Sequence, residues 1–158
     1  MRIADILRDK GPAVATVTEG TTVTALLADL AAHNIGSMVV ISTGGQERSD
    51  SGNVGSSTAI VGIVSERDVL RKLHEYGPGL LSRPVADVMS AVVVTCGPED
   101  RIDDLAALMT DNRVRHVPVL VDGRLVGIVS IGDVVKHRME EMAAQHQQLQ
   151  AYITQGAS

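Results

Sequence analysis

With 158 residues the chain has material for one hydrophobic core and not for two independent domains, so an internal repeat must complete its core with its partner. Apolar residues make up 44% and aromatic ones 1%, with no Trp or Phe, so aliphatic side chains fill the interior and a ligand base finds almost no ring to stack on. The net charge of −5 excludes a broad cationic field for nucleic acid, the lone Cys96 excludes an intrachain disulfide, and no apolar run approaches the roughly 18 residues of a membrane span. Residues Met1 to Asp5 lack the apolar core of a secretory signal, and the expected compartment is the cytoplasm.

In chain order, Ile3-Ala4-Asp5-Ile6-Leu7 sets an acid among apolar residues and leads to an extended stretch, Val14-Ala15-Thr16-Val17. Thr22 then opens a helical period in which Leu26, Leu27 and Leu30 share one face. Asn34 closes it, and Ser37-Met38-Val39-Val40-Ile41 reads as a strand. Residues 43–58, rich in Gly and Ser, are composed like a mobile surface insertion; a role for it and a merely tolerated loop are both open, since doubling a loop costs only about 0.6 kcal/mol. Ile60-Val61-Gly62-Ile63-Val64-Ser65 is a strand that runs directly into a helix.

After a Gly- and Pro-containing connection, residues 77–84, the pattern returns. Val85-Ala86-Asp87-Val88-Met89 repeats the lead, Val92-Val93-Val94-Thr95 the extended stretch, and Ile102, Leu105, Leu108 and Met109 the helical face. His116-Val117-Pro118-Val119-Leu120 and Leu125-Val126-Gly127-Ile128-Val129-Ser130 repeat the two strands, joined by Asp122-Gly123, a tight hairpin signal. Each unit reads strand, helix, strand, strand, helix, placing repeat 1 at 1–76 and repeat 2 at 85–137, with a helix and tail at 138–158. In that last helix Val135, Met139, Met142, His146, Leu149 and Ile153 alternate steps of four and three, which fits either a self-association seam or a helix packed on its own domain.

The closest copy is Gly-Ile-Val-Ser-x-x-Asp, at Gly62 to Asp68 and Gly127 to Asp133. A strand glycine admits close approach to the backbone, amides at a helix start suit an anion, and a carboxylate accepts two hydrogen bonds from the vicinal hydroxyls of a sugar. The same Ser-x-x-Asp spacing is also a capping box, and the two roles are compatible. His116, Ser130 and Asp133 supply the residue types of a catalytic triad but no spacing that requires one, so no catalytic residue is assigned. Cys96 is read as a filler of a small buried space, and His33, His74, His137 and His146 as surface residues without metal-ligand spacing.

The doubled Gly-h-h-Ser-x-x-Asp signature, together with Arg115-His116-Val117-Pro118-Val119, resembles the cystathionine β-synthase (CBS) domain family, in particular stand-alone bacterial proteins made of one CBS pair, or Bateman module. The resemblance implies an α/β fold of two β-α-β-β-α repeats related by a pseudo-two-fold axis. It implies reversible binding of adenosine-containing ligands (AMP, ADP, ATP, NAD or S-adenosylmethionine) in clefts between the motifs, with no required cofactor and no metal. By that likeness Asp68 and Asp133 hold ribose hydroxyls and Ser65 and Ser130 lie beside the ribose or phosphate. The strands at Ser37-Met38-Val39 and His116-Val117-Pro118 enclose the base, and Thr16 and Thr95 complete the pockets.

Phosphate charge is expected to meet Arg67 and Arg71 in one cleft, and Arg113, Arg115, His116 or Lys136 in the other. Unequal affinities are expected, because Pro118 and Arg67 have no like counterpart in the other repeat. IMP dehydrogenase carries a similar pair beside a catalytic barrel of about 250 residues, for which there is no sequence here, so no enzyme activity is expected. The expected protein is a homodimer that senses energy or redox state and regulates an unidentified protein; a ligand-free association module that scaffolds a partner is the alternative.

Overall fold

The computed structural model describes residues 1–11, 13–42, 59–92 and 94–156; the Gly- and Ser-rich insertion at 43–58 lies outside them. The elements are α1 (Ile3–Lys10), β1 (Thr16–Thr18), α2 (Val23–His33), β2 (Ser37–Ile41), β3 (Ile60–Ser65) and α3 (Glu66–Tyr76), then α4 (Ile102–Asp111), β4 (His116–Val121), β5 (Arg124–Ser130) and α5 (Ile131–Gly156). Between α3 and α4 lie two 3-10 turns, Gly77–Ser82 and Val85–Asp87.

The repeat seen in the sequence is a repeat in space. β2 pairs antiparallel with β3, placing Ser37 opposite Ser65, and β4 pairs with β5, placing His116 opposite Ser130. The preceding helices end alike: Asn34 (φ 52°) and Arg113 (φ 54°) both adopt the left-handed conformation that turns the chain into the next strand. Asparagine tolerates it and arginine pays for its Cβ. Asp122 and Gly123 also have positive φ, 50° and 74°, the pattern of the tight hairpin that their sequence signals.

The repeats differ at the first strand. β1 runs parallel to β2, whereas its counterpart in the second repeat shows, among the described residues, one parallel bridge, Cys96 with Val119. Cys96 exchanges hydrogen bonds with Pro118 and Leu120, and the next residue due to donate is Pro98, which has no N–H.

Two aliphatic cores form, and each borrows from the other unit. Val17, Leu26, Leu30, Met38, Val40 and Val64 pack with Leu80, Val85 and Val88, which follow the first repeat in sequence. Ile102, Leu105, Met109, Val117, Val119 and Val129 pack with Ile3 and Ile6 from the chain's start. Backbone bonds fix the exchange: Ile3 donates to Asp100 (3.0 Å) and Ala4 to Pro98 (2.8 Å), while Val23 donates to Arg83 (2.9 Å) and Val85 to Thr21 (2.7 Å). Ile3 and Ile6 are 0% and 1% exposed, and burial of such side chains contributes about 1.5–3 kcal/mol each, so neither repeat closes its core alone.

α5 continues the second helix of repeat 2 without a break. Only Val134 and His137 of it are buried, while Val135, Met139, Met142, Leu149 and Ile153 stand exposed, so the periodic seam finds no partner within the described residues. His137 corrects the expectation of a surface residue: it is 4% exposed, with Nδ1 against the Asp133 carbonyl (3.0 Å) and Nε2 against the Asp9 carboxylate (3.1 Å). Among the described residues no helix is long and apolar enough to cross a membrane.

Candidate ligand-binding site

The first motif builds its geometry from the end of β3. Ser65 is extended (φ −128°) and caps α3: its hydroxyl accepts from the Asp68 amide (3.3 Å) and donates to Asp68 Oδ2 (2.9 Å), and its amide donates to the same oxygen (2.8 Å). Capping therefore consumes Oδ2. Asp68 Oδ1 accepts from the Ser90 hydroxyl (3.2 Å), and a carboxylate oxygen has capacity for a further donor.

The glycine of the motif serves the chain's own backbone. A Cβ on Gly62 would stand 2.7 Å from the Ser90 carbonyl oxygen, and the adjacent Ile63 and Ser90 exchange two hydrogen bonds, 2.9 and 2.8 Å. Its absence lets the lead segment of repeat 2 lie along β3 and bring Ser90 to Asp68.

Between the repeats opens a cleft of about 390 Å³, within the roughly 300–1,000 Å³ range of small-molecule sites. The first repeat contributes Gly36, Ile63, Ser65, Glu66, Arg67, Asp68 and Arg71; the second contributes Ser90, Ala91, Val92 and Val94 and the run Arg113 to His116. This corrects the expectation that the cations divide between two clefts. Arg67 and Arg71 on the first turns of α3 face the same space as Arg113 and Arg115, because the turn before β4 lies across from the start of α3. Four arginines thus line one cleft with two acidic residues, Glu66 and Asp68, on a chain that is negative overall. Burial first, and then the charge of Lys10, holds the His116 imidazole below its ordinary pKa, against the opposing pull of Asp133.

The remaining expected residues lie elsewhere. Met38, Val39, Val117 and Pro118 are buried in the strands and do not line the cleft; Met38 and Val117 join the two cores, while Val39 and Pro118 alternate with them onto the other face of their strands. Ser37, half-buried at the head of β2, is next to the lining Gly36. Thr16 and Thr95 are exposed and off the cleft wall, because the first strand ends its pairing on β2 or is cut short at Pro98. Lys136 pairs with Glu140 (3.9 Å) on the exposed face of α5.

Ser130 and Asp133 reproduce the capping box and lie outside the lining of this cleft. The Ser130 amide donates to Asp133 Oδ2 (2.9 Å) and the Asp133 amide to Ser130 Oγ (3.1 Å). Neither residue lines the cleft, and the Lys10 ammonium donates to Asp133 Oδ2 at 2.8 Å. Burial works to raise the Asp133 pKa, but Lys10 and the Ser130 amide outweigh it and hold the carboxyl below its ordinary value.

Sequence reasoning missed Ser90, Ala91 and Val92, and a signal for them existed. Aligning the leads sets Ser90-Ala91-Val92 against Arg8-Asp9-Lys10, and once the leads are exchanged each triplet must face the motif of the other repeat. Cys96 is 9% exposed and its thiol pKa is pushed up to about 12, by burial first and then by Asp100, which leaves it inert as a nucleophile. Among the described residues no group of three or more His, Cys, Asp or Glu could hold a metal.

The fold and this cleft can be set beside known proteins. The family model described as "CBS domain" matches residues 3–75 and 85–140. The chain belongs to the CBS domain family. The mitochondrial CBS domain-containing protein CBSX3 of Arabidopsis thaliana is 36% identical over 160 residues, covering 98% of this chain and 72% of that protein. The solved CBS-domain protein ATU1752 of Agrobacterium tumefaciens is 36% identical, with a TM-score of 0.75 over 87% of this chain and 92% of that one. The CBS domain pair of protein MJ0100, solved with 5′-methylthioadenosine and S-adenosylmethionine, shares the fold at 21% identity, with a TM-score of 0.71 over 89% of this chain and 98% of that one.

Proposed function

We propose that this CBS pair is a non-catalytic regulatory module whose cleft reversibly binds an adenosine nucleotide carrying several phosphates, ATP or ADP ahead of AMP. Asp68 takes the ribose hydroxyls and the arginines take the phosphates. The convergence of Arg67, Arg71, Arg113 and Arg115 on one cleft carries the reading, since a cationic wall selects for ligand charge. The ligands held by the MJ0100 pair share an adenosine, which supports the nucleoside part; the sulfonium of S-adenosylmethionine is a poor match for four guanidinium groups.

Calorimetric titration tests this. Each charge-assisted phosphate contact is worth about 1.5–3 kcal/mol at full strength, less at an open cleft, so ATP is expected to bind at least about tenfold tighter than AMP and to weaken as salt is added. S-adenosylmethionine binding as tightly as ATP, independently of salt, would sink the proposal.

The reading includes a homodimer. Met139, Met142 and Leu149 are each more than 60% exposed along one α5 face, and an apolar stripe with the four-three spacing of a helix pair is satisfied by a second copy. Sedimentation of the Met139→Glu, Met142→Glu double variant is expected to show half the native mass; a native protein already monomeric at micromolar concentration contradicts this. The same seam is what favours the second reading, an association module without a ligand, and silence toward every nucleotide would select that one.

A further inference from the structure

The two motif aspartates have different neighbours, and one repeat position decides it. Counted from the start of each lead, Lys10 of α1 and Val92 stand at the same distance; Lys10 contacts the motif of the second repeat, and Val92 lines the cleft that holds the motif of the first. Val92 is part of the wall of the open cleft and leaves Asp68 with one oxygen bonded only by Ser90. Lys10 instead donates to Asp133 Oδ2 (2.8 Å) and to the Ile128 carbonyl (3.1 Å). A sugar diol needs the carboxylate as a two-point acceptor, and here the oxygen already held by the Ser130 amide also takes an ammonium, whose charge offsets that of the group.

We propose that Lys10 is a built-in occupant of the second repeat's sugar-binding carboxylate, so that each chain binds one nucleotide until that lysine is displaced. This rests on the nucleotide reading above. The end of α1 is anchored for the role at two points. Leu7 fills the space over Gly127, where a Cβ would come within 2.4 Å of Leu7 Cδ2. The buried His137 ties α5 to α1 through the Asp9 carboxylate (3.1 Å), and the same ring contacts the carbonyl of Asp133 (3.0 Å). The Lys10 side chain itself is 40% exposed and Asp133 24%, so the ammonium can leave into solvent without opening a hole in the core. This carboxylate adjoins the open cleft, because His116 on the cleft wall sits opposite Ser130 in the β4–β5 ladder and the Ser130 amide holds Asp133.

The test is the stoichiometry of ATP binding, read by calorimetry on the full chain. Wild type is expected to take one ATP per chain. Lys10→Ala, and Lys10→Met which keeps most of the aliphatic stem, are expected to take two, falling back to one when Asp68→Asn is added. Two sites in the wild type, one site persisting in both lysine variants, or loss of binding in them overturns the proposal while the nucleotide reading stands. No binding by any of these proteins overturns the nucleotide reading and the lysine's role with it.

Discussion

Substituting Asp68→Asn is expected to weaken ATP binding about 100-fold, whereas Asp133→Asn leaves the affinity of the wild-type site within about twofold. The difference follows from what each carboxylate has left to offer. Asp68 lines the cleft, and after capping α3 through Oδ2 it still presents Oδ1, engaged only by the Ser90 hydroxyl. Removing the charge and half the acceptor capacity costs two charge-assisted bonds, worth on the order of 3 kcal/mol together once part of the loss is recovered by the amide. Asp133 is off the cleft and holds Lys10, so its charge has no ligand to lose. The Asn side chain retains one acceptor for the Ser65 amide, so the stability cost stays near that of a weakened cap, about 0.5–2 kcal/mol. Calorimetry with ATP and urea unfolding separate the two effects, and equal losses of affinity in both variants contradict the account.

The largest effect on stability is expected at Gly62→Ala, a loss of about 2–4 kcal/mol in urea unfolding. The new methyl group meets the Ser90 carbonyl oxygen at 2.7 Å and Met89 Sδ at 2.9 Å. The oxygen belongs to backbone held by the reciprocal Ile63 and Ser90 bonds, so the strand must part from the lead segment and forfeit both. ATP binding falls as well, because Ser90 leaves Asp68. Gly127→Ala is the internal control. Its contact at 2.4 Å is with Leu7 Cδ2, the end of a side chain that can rotate away, and the expected loss is about 1 kcal/mol or less. A reversed ranking contradicts the assigned role of Gly62.

The fold was legible in the sequence because its signals are local. The helical leucine spacing, the alternation in the strands and Asp122-Gly123 each dictate an element from neighbouring residues alone, and their recurrence after some 80 residues dictates the pairing of two units. What local patterns do not carry is which core a segment fills. The leads at Ile3 and Val85 are apolar enough for either unit, and the structure gives each to the other's core, which is why Ser90 and Val92 escaped notice; Thr16 and Thr95, expected to complete the pockets, do not line this cleft. The cations were sorted by repeat when they converge across it, since the left-handed turn at Arg113 carries Arg115 toward α3. His137 read as a surface residue because nothing near it in sequence reveals Asp9, 128 positions away. That the first strand of repeat 2 keeps a single bridge among the described residues had a visible cause in Pro98, which removes a ladder donor.

A structure of the protein crystallised with ATP bears most directly on the central claim, that one carboxylate and four arginines contributed by both repeats form a single nucleotide site. The expected map shows the ribose hydroxyls on the Asp68 carboxylate, the triphosphate among Arg67, Arg71, Arg113 and Arg115, and Lys10 still on Asp133. ATP bound away from Asp68, or phosphates turned from the arginines into solvent, contradicts it.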